Sequence, residues 1–351
     1  MTEQLELHVN ADARDQLLEK GLSPELFSLF VGASGGPKWL VLSQLDRVLM
    51  PWLAASQRQQ PLASIGSSIG AWRAICLAQS DPAAAIERLE QGYIEQQYDT
   101  RPTPEELSAV SAGILSNALG PSGRDEVLSN DRIRTHVITA RGLGRWNSRN
   151  RYSLMRASAG TVVANTLSRR RLGGQLQRCC FHTGSSPLVS VNDELPTRNI
   201  ALNHDNLLPA TLASGSIPLL MRGVDELHPG EIHWDGGMTD YHFSPAISAG
   251  SGLTLYPHFY PYASPGWFDK LSRSRRVYAK QWPGLVLMCP SARFVQSLPG
   301  RRIPTRKDFE TLDTASRKKA WWTVTEAGKR LADEFMSLLD HSTLVRRLEH
   351  E

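Results

Sequence analysis

Two glycine-rich strand-to-helix turns near the start of the chain constrain its fold more than any other feature. Leu26 to Val31 is a short apolar run bounded by turn residues, as a buried strand requires, and it leads directly into Gly32-Ala33-Ser34-Gly35-Gly36. Pro37, suited to the first position of a helix, is followed by Val41, Leu42, Leu45, Val48 and Leu49 at helical spacing. The pattern then repeats. Leu62 to Ile65 reads as a strand, Gly66-Ser67-Ser68-Ile69-Gly70 as a tight turn, and Ala71 to Ala78 as an apolar helix. Consecutive βα units require parallel strands covered on both faces, which predicts an α/β fold with three layers and a largely parallel central sheet.

Downstream, Asp81 to Tyr98 reads as a helix, Thr135 to Thr139 as a strand, and Leu207 to Ser214 as a helix ended by Gly215 and Pro218. Ile232 to Trp234 is a short strand ending at Asp235-Gly236-Gly237; Leu285 to Met288 is a late strand, and Lys307 to Leu339 one or two helices. A chain of 351 residues that is 41% hydrophobic has ample core, which excludes disorder. The expected organisation is a core over residues 1–284, its motifs within 27–243, and a mainly helical C-terminal extension over 285–351 packed on it. The acidic opening Met1-Thr-Glu-Gln-Leu-Glu-Leu lacks an export pattern, and no apolar run is long enough to span a bilayer, so the expected location is the cytoplasm. Cys76, Cys179, Cys180 and Cys289 match neither a zinc spacing nor a disulfide framework and read as reduced thiols.

The net charge of +4 conceals an asymmetry: from Arg132 to Arg178 there are eleven arginines and no acid, and Lys270, Arg273, Arg275, Arg276 and Lys280 form a second cluster. Basic patches attract phosphate on nucleic acid or on anionic lipid, and arginines also solvate helix faces. Among the arginines only Trp146 and Tyr152 offer stacking surfaces, and no recognition helix is evident, so nucleic acid is not an expected partner.

Three local patterns carry chemistry. Gly66-x-Ser68-x-Gly70 between a strand and a helix presents a serine on a sharp turn, with glycines where side chains would collide; the plain alternative is an ordinary βα turn with a buried serine. In Ser34-Gly35-Gly36-Pro37-Lys38 the absence of Cβ atoms lets backbone amides approach a developing oxyanion or a phosphate near a helix N-terminus. The nucleotide fingerprints GxxxxGK[ST] and GxGxxG are absent. Asp235-Gly236-Gly237 is a hairpin turn when read alone, but beside the other two it offers a carboxylate at a strand end, suited to act as base for a serine.

The order glycine loop, GxSxG, DGG over roughly Phe27 to Phe243 resembles the patatin-like phospholipase family. The resemblance implies that Ser68 is a nucleophile and Asp235 its partner in a Ser-Asp dyad. It further implies that Gly35 and Gly36 supply the oxyanion hole, with Lys38 as the basic position after them and Gly66, Gly70, Gly236 and Gly237 supporting the motifs. Ala213-Ser214-Gly215-Ser216-Ile217-Pro218 looks like the family's small-residue segment before a proline. The implied fold is the three-layer α/β/α patatin fold. The implied activity is hydrolysis of fatty acyl esters of phospholipids or lysophospholipids through an acyl-serine, with no metal or other cofactor. The family's Asp-Gly-Gly-Gly opening is replaced here by Gly32-Ala33-Ser34-Gly35-Gly36, and Pro37 removes one backbone donor.

Alternatives remain at this stage. A conventional Ser-His-Asp esterase needs a histidine, and His258 or His341 is available in chain order, although the HGGG-type loop is missing. A metal site from His233, Asp235, Asp240 and His242 matches no ligand spacing. A catalytically silent lipid- or phosphate-binding protein would keep the same fold and basic face. Between Tyr256 and Phe268 lie six aromatics interleaved with Pro257, Pro261 and Pro265, which beside Lys270 to Lys280 suggests either peripheral contact with an anionic membrane or a connection packed on the core. Ala157 to Leu167, flanked by arginines, reads as an apolar helix that covers an acyl groove or is buried.

Overall fold

The structure, a computed structural model, describes residues 3–98, 100–270 and 272–349. Its strands are β1 (Leu5–Val9), β2 (Phe27–Gly32), β3 (Leu62–Ser67), β4 (Ile133–Gly142), β5 (Leu176–His182), β6 (Ser190–Val191), β7 (Thr197–Ala201), β8 (His233–Asp235), β9 (Ile247–Ser248), β10 (Leu253–Pro257) and β11 (Leu285–Pro290). Nine of them form one sheet in the order β1-β11-β10-β2-β3-β4-β5-β7, with β8 added on β4, while β6 and β9 form a separate ribbon. The run β11-β10-β2-β3-β4 is parallel throughout, and β3, β10 and β11 are buried at every residue. Strands without an alternating polar face need helices on both sides, and the chain supplies them, which gives the three-layer α/β/α arrangement.

Both glycine turns are strand-to-helix connections, with one difference from the sequence expectation. Residues Gly36–Leu42 form a 3₁₀ stretch, and the α-helix Ser43–Ala54 begins only after it. Behind the second turn lies the helix Ile69–Leu77. The two helices are joined by Arg73, whose guanidinium donates to both carboxylate oxygens of Asp46 at 2.7 Å, with both residues fully buried. Removing one partner of such a pair costs about 3–5 kcal/mol, so the pair fixes one turn relative to the other.

The boundary expected at residue 284 falls just before β11, which sits inside the main sheet between β1 and β10. The long helix Thr314–Leu338 packs on Ser43–Ala54, and Glu334 accepts the amide hydrogens of Gln4 and Leu5 at the start of β1. These contacts place residues 285–338 within the same core. All four cysteines are buried and none forms a disulfide among the described residues.

One strand organises the rest. β3 runs parallel to β4 and ends with Ser67 opposite Ile138; β8 runs antiparallel to β4 and ends with Asp235 opposite Thr139. Two strands therefore meet end to end along one edge of β4, with their C-terminal ends converging. The glycines make this approach possible. A Cβ on Gly236 would lie 2.1 Å from the Ile138 carbonyl oxygen, one on Gly66 2.3 Å from the Gly70 carbonyl carbon, and one on Gly70 1.9 Å from the Gly32 oxygen. All three clashes are with backbone and have no side-chain rotamer to relieve them. Gly70→Ala is accordingly expected to lower the free energy of unfolding by at least about 3 kcal/mol in a urea titration; a loss within experimental error would show that the two turns do not press on each other.

Candidate active site

Ser68 occupies the elbow between β3 and the helix Ile69–Leu77 at φ 54°, ψ −131°, a conformation that costs a residue with a side chain about 1–3 kcal/mol. Its amide donates to Ser214 Oγ at 2.9 Å, and that hydroxyl donates in turn to the Ile138 carbonyl at 2.6 Å. The same segment fixes the other strand end: Asp235 donates its amide to the Ser216 carbonyl at 2.9 Å and Gly236 to the Ser214 carbonyl at 3.0 Å. The small-residue stretch before Pro218 is thus a bracket for both strand ends. Gly215 keeps it close to the elbow helix, since a Cβ there would press on Trp72 at 3.1 Å.

Held this way, Ser68 Oγ donates to Asp235 Oδ2 at 2.9 Å, while Asp235 Oδ1 accepts the Gly237 amide at 2.7 Å. Both residues are 4% exposed. Burial raises the Asp235 pKa above the ordinary carboxylate value; Arg306, the Gly237 amide, the Ser68 hydroxyl and Lys270, in decreasing order, oppose that rise. Beyond Asp235, the turn is anchored by Arg178, whose Nε and a terminal nitrogen lie 2.6 and 2.8 Å from the carboxylate oxygens of Asp240.

The glycine loop is tied to the elbow through Ser34, whose hydroxyl pairs with that of Ser67 at 2.7 Å and whose amide donates to the Tyr241 carbonyl at 2.9 Å. Gly36 has φ 56°, a left-handed conformation that favours glycine. A Cβ at Gly35 would strike the Phe259 ring at 2.6 Å. The amides of Gly35 and Gly36 donate no hydrogen bond among the described residues, which leaves two donors at the loop. Lys38 follows, partly buried, and burial followed by the nearby Arg306 brings its pKa down to about 8.

Ser68 lies on the wall of a cavity of about 1210 Å³ that Trp72, Tyr93, Ile114, Leu220 and Phe309 also line. Aromatic and aliphatic walls of that volume accommodate an acyl chain. Leu219 and Leu220 at its rim are 41% and 42% exposed.

Among the described residues no histidine lines the cavity. His258 is buried, with Nδ1 2.8 Å from the Tyr260 carbonyl, and His341 approaches the Leu18 carbonyl at 2.9 Å on another part of the surface. The Ser68 hydroxyl instead contacts a carboxylate directly. The four residues considered for a metal also diverge. His233 Nδ1 pairs with Thr139, Asp240 with Arg178, and His242 Nδ1 accepts the Ser264 amide. Among the described residues the His/Cys/Asp/Glu group close enough to share an ion is Glu6, His8 and Cys289, far from Ser68 in the sheet.

The proline-aromatic stretch is packed on the core: Tyr256 belongs to β10, Phe259 backs the glycine loop, and none of the six aromatics is exposed. Sequence reasoning missed Ser214 as the clamp on the elbow, Arg306 altogether, and the position of Lys270 beside Asp235. Arg306 sits in no motif, and Lys270 looked like one charge in a surface cluster.

The patatin-like phospholipase family matches residues 41–243, a span that holds Ser68, the Ser214 segment and Asp235 but begins after Gly35, Gly36 and Lys38. A comparison with curated protein sequences finds no match. Over more than half of its length, with the elbow, the bracket and the carboxylate all inside the matched region, this chain belongs to the patatin-like phospholipase family, which supports lipid acyl hydrolysis as its general activity.

Proposed function

We propose that the protein hydrolyses fatty acyl esters of phospholipids or lysophospholipids through an acyl-Ser68 intermediate, with Asp235 as general base. The observation that carries this reading is the 2.9 Å hydrogen bond from Ser68 Oγ to Asp235 Oδ2 beside a large, partly apolar cavity. Asp235 takes the serine proton as Oγ attacks the ester carbonyl, and the Gly35 and Gly36 amides receive the negative charge. Protonated Asp235 then gives its proton to the departing alcohol oxygen. In the second half a water loses its proton to Asp235 and attacks the acyl carbon, and Asp235 returns that proton to Ser68 Oγ as the fatty acid leaves. Loss of one oxyanion donor typically costs about 3 kcal/mol, so the glycine loop counts on the same scale as the base.

Ser68→Ala is expected to lower ester turnover at least about a thousandfold and to abolish labelling by a serine-directed phosphonate. Asp235→Asn is expected to lower kcat by about a hundredfold to ten-thousandfold with the fold intact. Turnover unchanged in either variant removes that residue from the mechanism.

The base must be ionised, and burial holds its pKa high. Activity is therefore expected to fall as pH drops through a value above the ordinary carboxylate range. Arg306→Gln, which removes the strongest opposing influence, moves this acidic limb to higher pH. A kcat/KM profile that stays flat down to the normal aspartate range would exclude Asp235 as the titrating base.

The same reading extends to an interface. The helix Arg151–Leu167 buries Leu154, Ala157, Thr161 and Asn165 but turns Tyr152, Met155, Val162, Val163 and Leu167 to solvent, each at least 50% exposed. Of the eleven arginines from Arg132 to Arg178, five pair with acids: Arg134, Arg141, Arg149, Arg169 and Arg178. Arg145, Arg151, Arg156, Arg170 and Arg171 are exposed and form no ion pair among the described residues, and they frame the apolar face at both ends. Arg151 and Leu154 also line the cavity. An apolar stripe framed by cations at the cavity rim suits an anionic bilayer, at about 1 kcal/mol per charge near the surface. No helix among the described residues is long and apolar enough to cross a membrane. Binding to phosphatidylglycerol vesicles is expected to weaken as salt rises from about 0.05 to about 0.5 M, and Val163→Asp with Leu167→Asp should weaken it at least about tenfold in sedimentation. Binding indifferent to both changes would exclude this helix as the contact.

A further inference from the structure

A second cavity, of about 590 Å³, lies against the glycine loop, lined by Gly35 and Tyr241 and by Lys38, Lys270, Arg302, Arg306 and Lys307, with no acid among its lining residues. Arg302 is neutralised by Asp308 at 2.5 Å. Lys38, Lys270, Arg306 and Lys307 form no ion pair among the described residues, and the first three are partly buried. Lys270 Nζ sits 3.7 Å over the Tyr241 ring, and the anion that acts on it, Asp235, stands beyond ion-pair distance. Burial, then Lys38, then Arg306, bring the Lys270 pKa down to about 6. Like charges gathered under partial burial destabilise the empty site, and an entering anion relieves the repulsion.

Asp235, whose charge reaches Lys270, is already committed to Ser68 and to the Gly237 amide. Arg306 lines this cavity and the one that contains Ser68, and its Nε would lie 3.1 Å from a Cβ placed on Gly36. An anion beside Arg306 is therefore separated from an ester at Ser68 by little more than the glycine loop.

We propose that this second cavity is a subsite for the phosphate of the acyl ester substrate, held by Lys38, Lys270 and Arg306, and that it selects esters whose alcohol carries an exposed phosphate. A guanidinium fork and two ammonium groups supply the charge and donors that a phosphate dianion accepts. A choline headgroup is disfavoured twice: no acid faces the cavity, and Lys270 already occupies the face of Tyr241 that a quaternary ammonium would use. All three cations lie outside the family-matched segment 41–243, Lys38 before it and Lys270 and Arg306 after it. Binding should also weaken as pH rises through about 6, where Lys270 gives up its proton, and again through about 8, where Lys38 does.

The inference rests on the acyl-hydrolase reading, and two measurements separate them. The first compares kcat/KM for a monoacylglycerol phosphate with that for the same monoacylglycerol without phosphate. Lys270→Met and Arg306→Gln are expected to lower this ratio at least about tenfold, and Lys270→Arg to restore most of it. A ratio equal in wild type and variants overturns the subsite, even where inorganic phosphate inhibits turnover, because that pattern marks a site for free phosphate. The second measures binding of monoacylglycerol phosphate to Ser68→Ala by calorimetry, with and without Lys270→Met, and needs no turnover. Binding weakened about tenfold by the second substitution supports the subsite whether or not the wild type hydrolyses esters; equal affinity overturns it.

Discussion

The hydrogen-bonding edge of β4 is the constraint on which the site depends. One edge of this ten-residue strand is shared by β3, which ends at Ser67, and β8, which ends at Asp235, so their C-terminal ends face each other across the step from Ile138 to Thr139. The strand fixes that separation with backbone hydrogen bonds, without any side chain having to reach. The elbow strain at Ser68 and the bracket at Ser214 and Ser216 then become consequences of fitting two chain reversals into one gap. Any side chain at Gly66, Gly70 or Gly236 would occupy the space that the gap requires.

Electrostatics follow from this geometry. A carboxylate brought this close to a serine inside the core has lost its water, and an isolated buried charge is costly. The chain compensates with one backbone amide, one hydroxyl and two cations that stand off from the carboxylate and do not form ion pairs with it. The arrangement stabilises the ionised form while leaving Oδ2 available to Ser68. A salt bridge to Arg306 would have stabilised the charge further and occupied the oxygen that the serine needs.

The two βα turns were legible because glycine, a short apolar run and a proline at a helix start are local signals that act within about ten residues. Ser68 and the loop glycines could be read for the same reason. Asp235 could be named but not placed, because its position depends on the register of β8 against β4, which pairs segments nearly one hundred residues apart in sequence. The aromatics from Tyr256 to Phe268 could be read either as a membrane contact or as a connection packed on the core, because nothing local reveals that β10 lies beside β2 and draws them inward. β1 and β5 escaped notice for a related reason: in Leu5–Val9, Glu6 and His8 interrupt the apolar run, and Leu176–His182 carries Gln177 and Arg178. Conversely, Ala157 to Leu167, read as an apolar helix covering a groove or buried, belongs to the helix Arg151–Leu167, of which only one stripe faces the core.

The position of β10 between β2 and β11 has a consequence for how the protein is made. β2 is complete once residue 32 has been synthesised, yet its neighbour on one side comes from residues 253–257, more than two hundred positions later. At common translation rates that interval lasts about ten to forty seconds. Throughout it the ribosome-bound chain carries an unpaired, largely apolar strand edge next to the glycine loop, open to augmentation by any other extended polypeptide. Safe biogenesis of this fold therefore depends on keeping that nascent edge shielded until its partner emerges.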